Sequence, residues 1–172
     1  GLRGVLPVHG PAHAIDTVRR AYSQWDTSGW EGMPTIEWHE VPLETGIPVA
    51  RGRDFELTAA PGNHGDTPVI GVRCRSLHSG GVVAYSADGE PSPGVRALAQ
   101  QVDILVHEAT GDVGKHSTAA GAAALAAGAG ARRLVLVHVP GDRASLETAQ
   151  TEASAVFPGP VHTGNDLDRF TF

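Results

Sequence analysis

The apolar positions of this chain keep one rhythm in its first half and another in its second. Residues 35–41, TIEWHEV, alternate apolar and polar side chains, which predicts a half-buried strand. Residues 54–60, DFELTAA, do so more weakly. Residues 5–10, VLPVHG, predict a short strand closed by Gly10 and Pro11. In residues 12–22, Ile15, Val18 and Tyr22 fall on one face at helical spacing, and residues 23–34 read as loop. Residues 68–76 and 81–89 predict the arms of a hairpin around LHSG.

Past residue 90 the strands become continuous apolar runs, VDILVHE at 102–108 and RRLVLVHV at 132–139. Helical stretches separate them at 92–101, 117–130 and 145–157, the second with Ser117 as the expected N-cap. Apolar strands alternating with helices predict a sheet covered by helices, and the alternating early strands predict antiparallel neighbours. The class is mixed α/β, in a single domain over residues 1–172.

Composition narrows the picture. Hydrophobic residues make up 41% of 172, enough for a sizeable core. The net charge of −6 argues against bulk nucleic-acid binding, which leaves a basic footprint, but not against a small phosphate-bearing substrate. The single Cys74 excludes an internal disulfide and reads as a small hydrophobe. No run of about 20 apolar residues predicts a membrane span. The opening residues lack a signal-peptide layout, so a cytoplasmic location is expected.

Four polar groups sit at predicted strand ends: His64 before the strand at 68, Asp88 after VVAYSA, Glu108 after DILVH, and His138 after RLVLV. Residues leaving neighbouring strand ends can converge on one rim, where open α/β sheets bind ligands. Imidazole and carboxylate are suitable zinc donors. A single strand-end histidine is commonly structural, so spacing alone leaves both readings open.

The order of these segments resembles the later part of the metallo-β-lactamase superfamily, most closely its ribonuclease Z-like branch. NHGDTPVIGVR is similar to the segment with the family's isolated metal histidine. VAYSADGE is similar to its Ser-Gly-Asp-Thr strand, LVHEAT to its His-Glu-Ala-Thr strand, and KHSTAAG to its His-Ser-Thr helix. The resemblance implies an αββα sandwich, represented by its later portion. It implies two zinc ions, with His64 and His138 on different metals and Asp88 bridging them. It also implies that Glu108 holds His116 as a protonated donor to the leaving oxygen of a phosphodiester. Lactones, thioesters or β-lactams are the alternative substrates, and a non-catalytic partner subunit is the alternative role.

Three departures qualify these expectations. The family's His-x-His-x-Asp-His signature is absent. The remaining ligands are therefore expected from an upstream segment or a partner chain, with a homo-oligomer also open. Ser-Ala-Asp-Gly at 86–89 replaces Ser-Gly-Asp-Thr, which keeps Asp88 but changes its surroundings. Between His64 and Asp88 lies only a hairpin, without the long arm of tRNA-processing relatives. His107 is expected on the opposite sheet face in a structural role, and His9, His13, His39, His78 and His162 in surface or packing roles. Lys115 is expected to be solvated, within reach of an anionic substrate.

Overall fold

The computed structural model describes residues 4–27 and 29–172. The chain forms two compact units, Gly1–Leu43 and Glu44–Phe172.

In the first unit, β1 (Val5–Gly10) and β2 (Thr35–Glu40) pair with α1 (Ala12–Tyr22) between them. The pairing is parallel, not the antiparallel one that alternation suggested. A helical connection explains this, since it returns the chain to start the next strand in the same direction. Ile15 is buried, but Val18, expected on the same face, is 51% exposed. His9 and His39 lie opposite each other and their rings stack at 4.6 Å.

The second unit is a seven-stranded sheet whose spatial order equals its sequence order. Strands β3 (Ile47–Arg51), β4 (Phe55–Pro61), β5 (Ile70–Ser76) and β6 (Val82–Tyr85) pair antiparallel. Strands β6, β7 (Ile104–Glu108), β8 (Leu134–Val137) and β9 (Val161–Thr163) pair parallel. The parallel strands are joined by α2 (Pro93–Leu98), α3 (Ala119–Ala129) and α4 (Arg143–Val156).

Alternation along these strands gives the sheet two faces. Ala84, Leu105, His107, Leu134 and Leu136 share one face with almost no exposure, in or beside the core that includes α2, α3 and α4. Burying each leucine contributes roughly 1.5–3 kcal/mol. Helix α3 is almost all alanine, which favours the helix and lets it lie close to its neighbours. Its N-cap is Thr118, whose Oγ1 accepts the Gly121 N–H at 3.0 Å. Ser117, the expected cap, instead gives its N–H to Glu108, one residue before the cap position.

His107 lies on the helix-covered face, opposite to Glu108, as alternation requires. Its Nδ1 donates to the Glu108 carbonyl at 2.8 Å, and its Nε2 has no partner among the described residues. Burial pushes this imidazole below its ordinary value, against the opposing pull of that hydrogen bond. The unfolded chain takes up a proton here as pH falls through about 6.5, whereas the folded chain resists until lower pH. Stability should therefore be full above about 6.5 and fall below it. In urea titrations across pH 5–8, His107→Leu should flatten this decline. An unchanged slope would assign the decline to other groups.

Candidate metal and proton-transfer site

Strands β4 and β6–β8 all run in the same direction, because β5 is antiparallel to both β4 and β6. Their C-terminal ends therefore share one edge of the sheet. His64 follows β4, Asp88 follows β6, Glu108 ends β7 and His138 follows β8. The fifth group, His116, sits in the turn between β7 and α3.

Hydrogen bonds fasten these exits together. Glu90 N–H donates to the Asn63 carbonyl at 2.8 Å, and Asn63 Nδ2 donates to Glu90 Oε2 at 2.9 Å, stapling the His64 loop to the Asp88 loop. Gly89 is required between them: it has φ +145°, and a Cβ there would lie 2.5 Å from the Asn63 carbonyl oxygen.

Glu108 is fully buried. Its Oε1 accepts from Gly89 N–H at 2.8 Å, Ser117 N–H at 3.1 Å and His116 Nδ1 at 2.8 Å. Its Oε2 accepts from Thr110 N–H at 2.9 Å. Burial alone would raise this carboxyl, but the backbone donors of Thr110, Gly89 and Ser117, with His116, outweigh it and hold the group below the usual carboxylate range.

With Nδ1 committed to Glu108, His116 turns Nε2 toward the rim, where it lies 3.4 Å from Nε2 of His64. The His64 and His116 rings meet edge to face at 4.8 Å, and His116 and His138 at 5.3 Å. Asp88 Oδ1 approaches His138 Nδ1 at 3.5 Å. All five residues singled out in the sequence thus fall in one cluster, with His116 at its centre. Elsewhere in the second unit, His78 pairs with Asp54 and His162 with Asp168.

Donor atoms of Glu108, His116 and His138 all lie within 4.8 Å of one another, close enough for one ion. Glu108 is nonetheless a poor ligand, because a metal would displace donors that already satisfy a buried charge. His64, His138 and the half-exposed Asp88 are chemically better suited. Their nitrogen and oxygen donors suit a divalent metal ion.

Sequence reasoning missed Thr110. Its Oγ1 contacts both Nδ1 of His138, at 2.8 Å, and the His138 carbonyl, at 3.0 Å. The signal was its place two residues beyond Glu108, beside the exit of the next strand.

Two strand exits carry left-handed backbone at non-glycine residues, Ala87 at φ 58° and His138 at φ 56°. An L side chain pays about 1–2 kcal/mol there. Ala87→Gly should remove that cost, less the extra chain entropy of glycine. We expect about 1 kcal/mol of added stability in chemical denaturation, and a loss would show that the alanine methyl packs usefully.

The model of a beta-lactamase superfamily domain matches residues 2–139. The chain belongs to that superfamily. This beta-lactamase superfamily chain is 41% identical over 136 residues to ribonuclease Z of Salinibacter ruber, covering 74% of the chain and 38% of that protein. It is 33% identical over 169 residues to ribonuclease Z of Porphyromonas gingivalis, covering 92% and 53%. It therefore spans about half, or less, of these relatives. Its fold matches the metallo-beta-lactamase fold protein YhfI of Bacillus subtilis with TM-score 0.72 at 20% identity, over 94% of this chain and 63% of that one. Among the described residues of the superfamily chain, no helix is long and apolar enough to cross a membrane.

Proposed function

We propose that this chain carries the proton donor and part of the metal-ligand set of a zinc-dependent phosphodiesterase. The observation that carries the reading is the Glu108–His116 pair, whose second imidazole nitrogen, Nε2, contacts His64 at the rim. His64, Asp88 and His138 would hold the metal. Bound there, zinc would activate water and neutralise charge developing on phosphorus. Glu108 orients His116 and balances a proton on it, so that Nε2 can pass that proton to the departing alkoxide. An alkoxide is a poor leaving group, so this step favours phosphodiesters over more reactive carbonyl esters. The net charge of −6 and the short hairpin between His64 and Asp88 favour a small substrate over a whole tRNA.

Three ligands cannot complete two sites that each want about four. The remaining donors would come from another segment or a partner chain. On the sheet face opposite the helices Tyr85 is 41% exposed and Val83, Val106 and Val137 are half-buried, whereas Ile104 and Val135 on the same face are covered. A panel of phosphodiesters, lactones and thioesters, run with and without zinc, tests the reading. Zinc-dependent phosphodiester hydrolysis supports it. Turnover of lactones or thioesters alone would replace the substrate class. A native protein that binds no zinc would point to a non-catalytic subunit.

A further inference from the structure

We infer that Thr110 is a positioning residue that fixes the tautomer of His138, keeping the proton on Nδ1 and presenting Nε2 as a bare lone pair. The inference rests on the reading that His138 is a metal ligand, and it extends that reading to a residue with no role in it.

The hydrogen-bond geometry assigns the protons. The Thr110 hydroxyl lies 3.0 Å from the His138 carbonyl oxygen, which can only accept, so the hydroxyl hydrogen points there. The same Oγ1 lies 2.8 Å from His138 Nδ1. Having spent its hydrogen, it can only accept from that nitrogen, and Nδ1 must carry N–H. Asp88 Oδ1, 3.5 Å from the same nitrogen, favours the same assignment. A neutral imidazole has one N–H, so Nε2 is left unprotonated, as metal ligation requires.

Two further contacts make Thr110 more than a bystander. His138 stands in left-handed backbone at φ 56°, and the hydroxyl grips its carbonyl as well as its ring. The backbone N–H of Thr110 donates to Glu108 Oε2 at 2.9 Å. One residue therefore ties the Glu108–His116 pair to the histidine of the neighbouring strand. Loss of such an outer partner typically lowers metal affinity by about 10- to 100-fold.

The test is long-range ¹H–¹⁵N imidazole NMR of the metal-free chain near pH 8, with His138 assigned by comparison with His138→Gln. Wild type should show His138 as the Nδ1–H tautomer. Thr110→Val keeps the branched shape without the hydroxyl and should shift the ring toward Nε2–H. Thr110→Ser should restore Nδ1–H. Zinc titrations followed on the same signals should show affinity reduced about 10- to 100-fold in the valine variant and recovered in the serine variant. An Nε2–H tautomer in wild type, or an unchanged tautomer in Thr110→Val, overturns the inference. Should the valine variant fail to fold, an Nε2–H signal in Thr110→Ser overturns it equally. If the tautomers behave as expected while zinc never moves the His138 signals, the assignment of His138 as a ligand fails and the role of Thr110 as tautomer holder stands.

Discussion

Glu108→Gln should destabilise the chain by about 3 kcal/mol, although it changes one atom. Four donors converge on the carboxylate, three on Oε1 and one on Oε2. An amide offers one oxygen and one NH₂, so whichever way it is placed, at least one buried donor meets another donor. Each buried polar group left unsatisfied costs about 1–3 kcal/mol, and breaking a buried charged network costs about 3–5 kcal/mol. The melting temperature should fall by roughly 6–12 °C. The exposed Glu147, paired with Arg143 at 2.7 Å, provides the control, and its glutamine variant should stay within about 0.5 kcal/mol of wild type. The sign of the pH dependence follows from the depressed carboxyl. The stabilisation by Glu108 is fully present above the ordinary carboxylate value and is lost as pH falls through the lower folded value. A glutamine variant as stable as wild type at pH 7 would mean that the carboxylate is not the keystone of these loops.

His116→Ala should separate turnover from metal content. Its Nδ1 is held by Glu108, and only Nε2 remains to act at the rim. As a proton donor it should contribute about a hundredfold or more to the turnover of a phosphodiester with an alkoxide leaving group. For a substrate whose leaving group needs no proton, the loss should be much smaller. Zinc content, measured by elemental analysis on the same samples, should hardly change. Zinc and activity lost in equal measure would make His116 a ligand and leave the site without its proposed acid.

The parts of the fold that were legible in the sequence were those where one physical signal dominates. Strand β8 and the first three residues of β7 are apolar runs because helices and sheet neighbours bury them, and the β5–β6 hairpin announces itself by its glycine-bearing turn. Strand β3 escaped notice: IPVAR holds a proline, and its register shifts between Pro48 and Ala50, which destroys the alternation that marks a strand. The direction of β2 was misread because alternation reports burial on one face and says nothing about the partner's direction. The side chains of the candidate site were legible as strand-end histidines and carboxylates. What holds them was not. Thr110, Gly89 and Ser117 act through backbone N–H groups or a hydroxyl whose partners lie up to 28 residues away.

The second unit has its strands side by side in the order in which they occur along the chain. Every ladder is closed between consecutive strands, so each step of assembly closes only a modest loop, a topology associated with faster folding. The cluster at the rim draws on the exits of β4, β6, β7 and β8, and so cannot form until that whole succession has paired. An emerging polypeptide would consequently expose its sheet edge by edge, and the rim cluster would be complete only late, when the exit of β8 brings His138 up against Thr110.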